Sequence, residues 1–88
     1  MLKIGDKVRI IRLDIADENQ SNLKIGDIGT IEWMYETDYE PFDCCHVRFP
    51  DSIIFTSSRN VNTDGTYVMY MNQLEAIEEQ EANRRESV

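Results

Sequence analysis

Apolar residues recur two apart in short runs, the pattern of half-buried strands rather than helices. A first strand is predicted over about 6–13, with Val8 and Ile10 on one face and Lys7 and Arg9 on the other. Ile11 and Leu13 break that phase, which predicts a bulge or bend. A long polar loop, Asp14 to Asn22, follows. A second strand over about 28–35 points Ile31 and Trp33 inward, with Tyr35 at the same parity, and Glu32 and Met34 outward. A third over about 44–49 points Cys45, Val47 and Phe49 inward and Cys44, His46 and Arg48 outward. Pro50 ends it, because proline has no ladder donor. Ile53, Ile54 and Phe55 suggest a short additional strand within 52–56. Asp64-Gly65 is the strongest turn signal, and a fourth strand is predicted over about 66–71.

Leu2-Lys3-Ile4-Gly5-Asp6 recurs as Leu23-Lys24-Ile25-Gly26-Asp27, each copy leading into strand-like sequence. Two copies are too few for a repeat architecture. They predict one turn used twice, with Gly at a positive-φ position and Asp bonding the local backbone before a strand begins. At 72–77 two readings compete. Asn72 with Glu75 three residues on fits a helix start. A single 3-10 turn and a closing strand over about 75–78 fits better, because Leu74 and Ile77 are the last substantial apolar residues before Val88. Residues 79–88 read as a polar tail, flexible or briefly helical.

The chain has 88 residues, enough for one domain and one modest core. Its 17 acids against 9 Lys and Arg give a net charge of −8. The charge is local: residues 31–51 carry −5 and residues 74–88 carry −3, while the remainder balances. Such a balance argues against general phosphate gripping, which depends on Lys and Arg. No apolar run approaches the ~18 residues of a membrane span and no apolar leader opens the chain. A cytoplasmic location without a membrane partner is expected.

Cys44 and Cys45 are strand neighbours and point to opposite faces, so they are not expected to pair. With His46 they fall short of a four-ligand zinc set, and no metal or cofactor is expected. No phosphate-binding glycine loop, nucleophile elbow or zinc-protease helix occurs. Cys44 and His46 lack a third orienting group. The chain is not expected to be an enzyme, and no catalytic residue is assigned.

The most informative stretch is 33–43, with four aromatics and four carboxylates in eleven residues. Tyr35, Tyr39 and Phe42 offer stiff apolar contact; Glu36, Asp38, Glu40 and Asp43 select a basic partner. These seven residues are the candidate partner-binding site. A bland reading stands beside it, in which Trp33 and Phe42 are core and the carboxylates keep a loop wet. Two alternatives remain open. Asp14, Asp17, Glu18, the acids of 36–43, and Glu75, Glu78, Glu79 and Glu81 could imitate a nucleic-acid backbone and block a protein that binds DNA or RNA. Conversely Lys3, Lys7, Arg9 and Arg12 could grip a few phosphates, although cross-strand pairing with acids such as Glu32 or Asp27 accounts for them more simply.

Four or five short strands, a long early loop and a closing single-turn element make a small barrel. Gly26-Asp27-Ile28-Gly29-Thr30-Ile31, followed after a loop by Val47-Arg48-Phe49, looks like a KOW-type motif. Ile4-Gly5-Asp6-Lys7-Val8-Arg9-Ile10 and Tyr70-Met71-Asn72-Gln73-Leu74-Glu75-Ala76-Ile77 sit where such barrels open and close. Over about residues 3–78 the chain resembles the SH3-like barrel superfamily. That resemblance implies an all-β fold of about five strands with a 3-10 turn. The superfamily holds ribosomal proteins, transcription factors, peptide-binding modules and small accessory proteins, phage-encoded ones among them. KOW domains that bind nucleic acid tend to be basic, and this chain is acidic. The expected role is therefore a non-catalytic, protein-binding accessory or inhibitory factor that docks on a basic surface. A nucleic-acid mimic and a weak KOW-like RNA or DNA binder are the alternatives. The sequence does not fix the oligomeric state.

Overall fold

The computed structural model describes residues 2–34, 44–57 and 59–77. Five antiparallel strands form one sheet in the order β4-β3-β2-β1-β5. They are β1 (Lys7–Ile10), β2 (Ile28–Met34), β3 (Cys44–Arg48), β4 (Tyr67–Tyr70) and β5 (Leu74–Ala76). A helix α1 (Ile15–Gln20) lies in the first loop, and a 3-10 turn (Met71–Gln73) joins β4 to β5. This is a small all-β fold whose strand order is compatible with an SH3-like barrel. The first strand stops at Ile10 rather than 13, and 52–56 contributes only a bridge from Phe55 to Ser21. The closing element is the 3-10 turn and strand, as the apolar spacing predicts. No helix among the described residues is long and apolar enough to cross a membrane. The tail, 79–88, lies outside the described residues.

The repeated pentapeptide builds the first hairpin. In each copy the Asp N–H bonds the Lys carbonyl, at 3.1 Å for Asp6 and 3.0 Å for Asp27. Gly5 and Gly26 take φ of 95° and 99°, the left-handed conformation a type II turn requires. The Asp carboxylates then accept the Lys N–H groups at 3.0 and 2.8 Å. Each turn also grips the strand that follows the other. Gly5 donates to the Ile31 carbonyl and Ile31 donates to the Asp6 carbonyl; Gly26 and Ile10 do the same with Ile10 and Asp27. The two copies are related by a local pseudo-twofold centred on the Val8–Gly29 pair.

Gly29 is where the copies must differ. A Cβ there would sit 2.5 Å from Val47 Cγ1 and 2.9 Å from the Arg48 carbonyl oxygen. One face of the sheet carries Val8, Ile10, Ile31, Cys45, Val47, Tyr67 and Met69, all essentially inaccessible. Leu23, Phe49 and Leu74 complete that core. The inward residues of β3 are those the alternation predicts.

In β2 the alternation fails. Ile31 pairs with Val47 but Trp33 pairs with His46, so Glu32 is an extra residue on this strand. The bulge puts Glu32 and Trp33 both on the outer face and returns Met34 to the core side. Trp33 is therefore 40% exposed, contrary to the inward position that period two assigns.

Candidate functional site

The first loop is fastened by a buried carboxylate. Tyr67 Oη donates to Asp17 Oδ1 at 2.5 Å. Gln73 Nε2 and the Asp14 N–H donate to Asp17 Oδ2 at 3.0 and 3.1 Å. Gln73 also donates to the Arg12 carbonyl and accepts the Tyr70 N–H through Oε1. A carboxylate removed from water needs such donors. Burial first, and then the Asp17 carboxylate, raise the Tyr67 hydroxyl above its ordinary pKa. The sequence gives no sign of this network. Period and charge make Asp17 a surface acid, yet it is 6% exposed and holds α1 against β4 and the 3-10 turn. It therefore drops out of the set of carboxylates that could imitate a nucleic acid.

Over this floor opens a cleft of about 270 Å³, walled by Asp14, Cys44, Arg59, Asn60, Val68 and Tyr70. Cys44 pairs with Tyr70, and Met34 pairs with Cys45. The chain thus leaves β2 at Met34 and returns at Cys44, on the cleft wall. Between those points run Tyr35, Glu36, Asp38, Tyr39, Glu40, Phe42 and Asp43, which lie outside the described residues. The structure places the two ends of that segment and the cleft beside its return.

The outer face of β2, β3 and β4 carries a row that the alternation alone misses. Trp33, His46 and Val68 are register partners across the three strands. The Trp33 and His46 rings lie against each other, their centroids 4.5 Å apart and their planes tilted by 37°. His46 and Val68 each lie between buried neighbours, so both point outward with Cys44 and Tyr70. On one flank Arg48 grips Glu32 through two nitrogens, at 2.9 and 3.1 Å, and donates to the Asp64 carbonyl at 2.7 Å. The Arg48 bond holds the Glu32 carboxyl below its usual pKa. Asp64 is held low chiefly by the hydroxyl and N–H of Thr66, with Arg48 and His46 adding.

The basic residues of β1 are only partly gathered. Lys7 and Arg9 share the outer face of the strand, as predicted, with Lys3 and Arg12 beyond its two ends. Arg9 Nε lies 3.7 Å from Glu75 Oε1 on β5. The acids expected to pair with these bases act elsewhere: Glu32 on Arg48, and Asp27 on its own turn. A shallow groove of about 300 Å³ runs beside Lys7, between Ile28, Thr30 and Phe49.

Cys45 enters the core and Cys44 the cleft wall, on opposite faces. Burial pushes the Cys45 thiol up to about 12. Among the described residues no three His, Cys, Asp or Glu side chains gather as a metal site would require. No family model, no curated protein and no solved structure matches the chain.

Proposed function

We propose that this chain is a non-catalytic protein-binding module, an accessory or inhibitory factor that docks on a basic surface of its partner. Two features support this reading, the composition of the segment 35–43 and the cleft beside Cys44, where the described chain resumes. The segment 35–43 has three aromatics, four carboxylates and no Lys or Arg. Its return at Cys44 borders a cleft whose wall includes Val68 and Tyr70 and whose rim includes Asp14. Tyr35, Tyr39 and Phe42 supply apolar contact; Glu36, Asp38, Glu40 and Asp43 pair with the partner's bases. The SH3-like, KOW-like resemblance supports the module reading by analogy of fold, which does not itself specify a ligand. Nucleic acid is the less favoured partner, because Arg9 on the basic strand already faces Glu75.

The test is parallel capture from nuclease-treated lysate, with the native chain and a Glu36→Gln, Asp38→Asn, Glu40→Gln, Asp43→Asn chain as baits. The expected result is a partner with a basic surface, held by the native bait and lost from the neutralised one. Capture that survives neutralisation overturns the electrostatic reading. Capture abolished by nuclease transfers the function to nucleic acid and to the β1 face. A captured protein that itself binds DNA or RNA, lost on neutralisation, identifies inhibition by mimicry.

A further inference from the structure

We infer that the groove beside Lys7 is a docking site for the chain's own segment 78–88, whose leading glutamates pair with that lysine. The inference is independent of the protein-binding reading above, because it concerns β1 and its neighbours and not the segment 35–43.

The groove itself has the right chemistry. It measures about 300 Å³, with Ile28, Thr30, Phe49 and Pro50 among its walls and Lys7 and Arg48 supplying its charge. Ile28 is 42% exposed, so an apolar wall stands open. Arg48 is committed to Glu32, and Arg9 beside the groove meets Glu75. Lys7 makes no ion pair among the described residues. A cation next to apolar walls suits a segment that brings a carboxylate and covers the walls at the same time.

Connectivity names the occupant. The Ile77 N–H donates to the Lys7 carbonyl at 2.9 Å, so the segment that follows starts beside Lys7. Lys7 pairs with Thr30, and Thr30 with Arg48, which makes one row from the end of β5 across β1 and β2 to β3. Lys7, Thr30 and Arg48 all lie on the outer face, since their strand neighbours Val8, Ile31 and Val47 are buried. From β5 to β3 is three strand spacings, about 14 Å. Residues 78–88 cover about 16 Å as a helix and about 36 Å when extended, so they reach along the row in either form. A short tether also holds the segment at a high effective concentration, so weak contacts suffice.

The order of charges agrees. Glu75 meets Arg9 on the outer face, and two residues on, where the next outward position lies level with Lys7, the chain has Ile77. Three carboxylates follow within four residues, Glu78, Glu79 and Glu81, while Arg84 and Arg85 come later. The acids are thus nearest the tether and nearest Lys7. With the groove covered in this way, Lys7 is withheld from an external anion such as a phosphate.

The test is nuclear magnetic resonance on the full chain, labelled with ¹³C and ¹⁵N. The expected result is a set of nuclear Overhauser contacts from 78–82 to the Ile28 methyl groups and the Phe49 ring, arising within one chain. Glu78→Gln, Glu79→Gln, Glu81→Gln in the full chain should displace the amides of Lys7, Ile28, Thr30 and Phe49 further than those of β4, with a melting curve showing the variant folded. Lys7→Gln should displace the amides of 78–82. If a variant does not fold, high salt added to the native chain takes its place, because screening weakens the same exposed pairs and moves the same amides. Absence of the contacts overturns the inference. Contacts found only between labelled and unlabelled chains in a mixed sample overturn it in favour of a second copy's segment. Amides at Lys7 and Ile28 that ignore neutralisation and salt alike overturn the pairing on which it is built. Lysate capture through 35–43 does not depend on any of these results, so failure here leaves the protein-binding reading standing.

Discussion

The Trp33 and His46 rings meet across β2 and β3, tilted by 37° at 4.5 Å, because Glu32 is one residue more than the ladder needs. In a regular ladder Glu32 would pair with His46, Trp33 would enter the core opposite Cys45 and Met34 would face solvent. The bulge exchanges them, and a ring that alternation assigns to the interior joins the outer face of the sheet.

Accessibility of the single tryptophan follows directly. Acrylamide, which is neutral and insensitive to the chain's charge, should quench native Trp33 emission readily, to an extent between that of a buried tryptophan and that of the urea-unfolded chain. Strong protection in the native state would place the ring in the core and remove the bulge from the account.

Gly29→Ala should destabilise the fold. The added methyl meets Val47 Cγ1 and the Arg48 carbonyl, and the second of these is backbone in the adjoining strand. Overpacking of this kind costs about 1–3 kcal/mol. In a domain this small that lowers the melting temperature by roughly 4–8 °C per kcal/mol. A melting curve unchanged from that of the native chain would contradict the tight β2–β3 approach.

Tyr67→Phe removes one donor from a buried carboxylate. The cost is about 1–3 kcal/mol, the price of an unsatisfied buried polar group. Because Asp17 lies in α1 and Tyr67 in β4, the change should also speed hydrogen exchange of the amides of 15–20 more than those of β3. Uniform acceleration across both regions would show that Asp17 does not fasten the first loop specifically.

Alkaline stability should fall in a defined window. The Cys45 thiol rises from 9.0 to about 12 on folding. Between those values the unfolded chain has lost this proton and the folded chain still holds it. Stability therefore declines with pH from about 9, by up to about 1.4 kcal/mol per pH unit for one proton. Tyr67, also raised, adds to the decline above pH 10. Urea titrations from pH 8 to 11 should show the slope, and Cys45→Val should reduce it. The same burial predicts that only Cys44 reacts with a thiol reagent at pH 8 in the native state. Equal reactivity of both thiols would contradict the burial of Cys45.

Much of this fold is legible in the sequence, for physical reasons. The strands of the core announce themselves because one face of each is buried, as in Cys45-Val47-Phe49. The two turns are legible because a left-handed position calls for glycine and the preceding lysine N–H finds an aspartate three residues on. Three features are hidden. The helix α1 has no apolar stripe, and Ile15 is 76% exposed; it is fastened through Asp17, two of whose three donors lie 50 and 56 residues away. The bulge at Glu32 is a matter of register, which a strand cannot specify without its neighbour. The pairing of Arg9 with Glu75 requires knowing that β5 lies beside β1. For the site, composition singles out the acidic aromatic segment. The cleft and the outer aromatic row come only from the way distant strands meet.

One titration tests the central claim most directly. Amide chemical shifts of the ¹⁵N-labelled chain are followed on adding a basic probe, an acetylated and amidated hexapeptide of alternating arginine and threonine, and separately a mixed-sequence oligonucleotide. The account predicts that the peptide moves the amides of 35–43 and those of Cys44, Val68 and Tyr70 at the cleft, and that the oligonucleotide moves none. Shifts at Lys3, Lys7, Arg9 and Arg12 with the oligonucleotide, while the peptide leaves 35–43 unmoved, would contradict it.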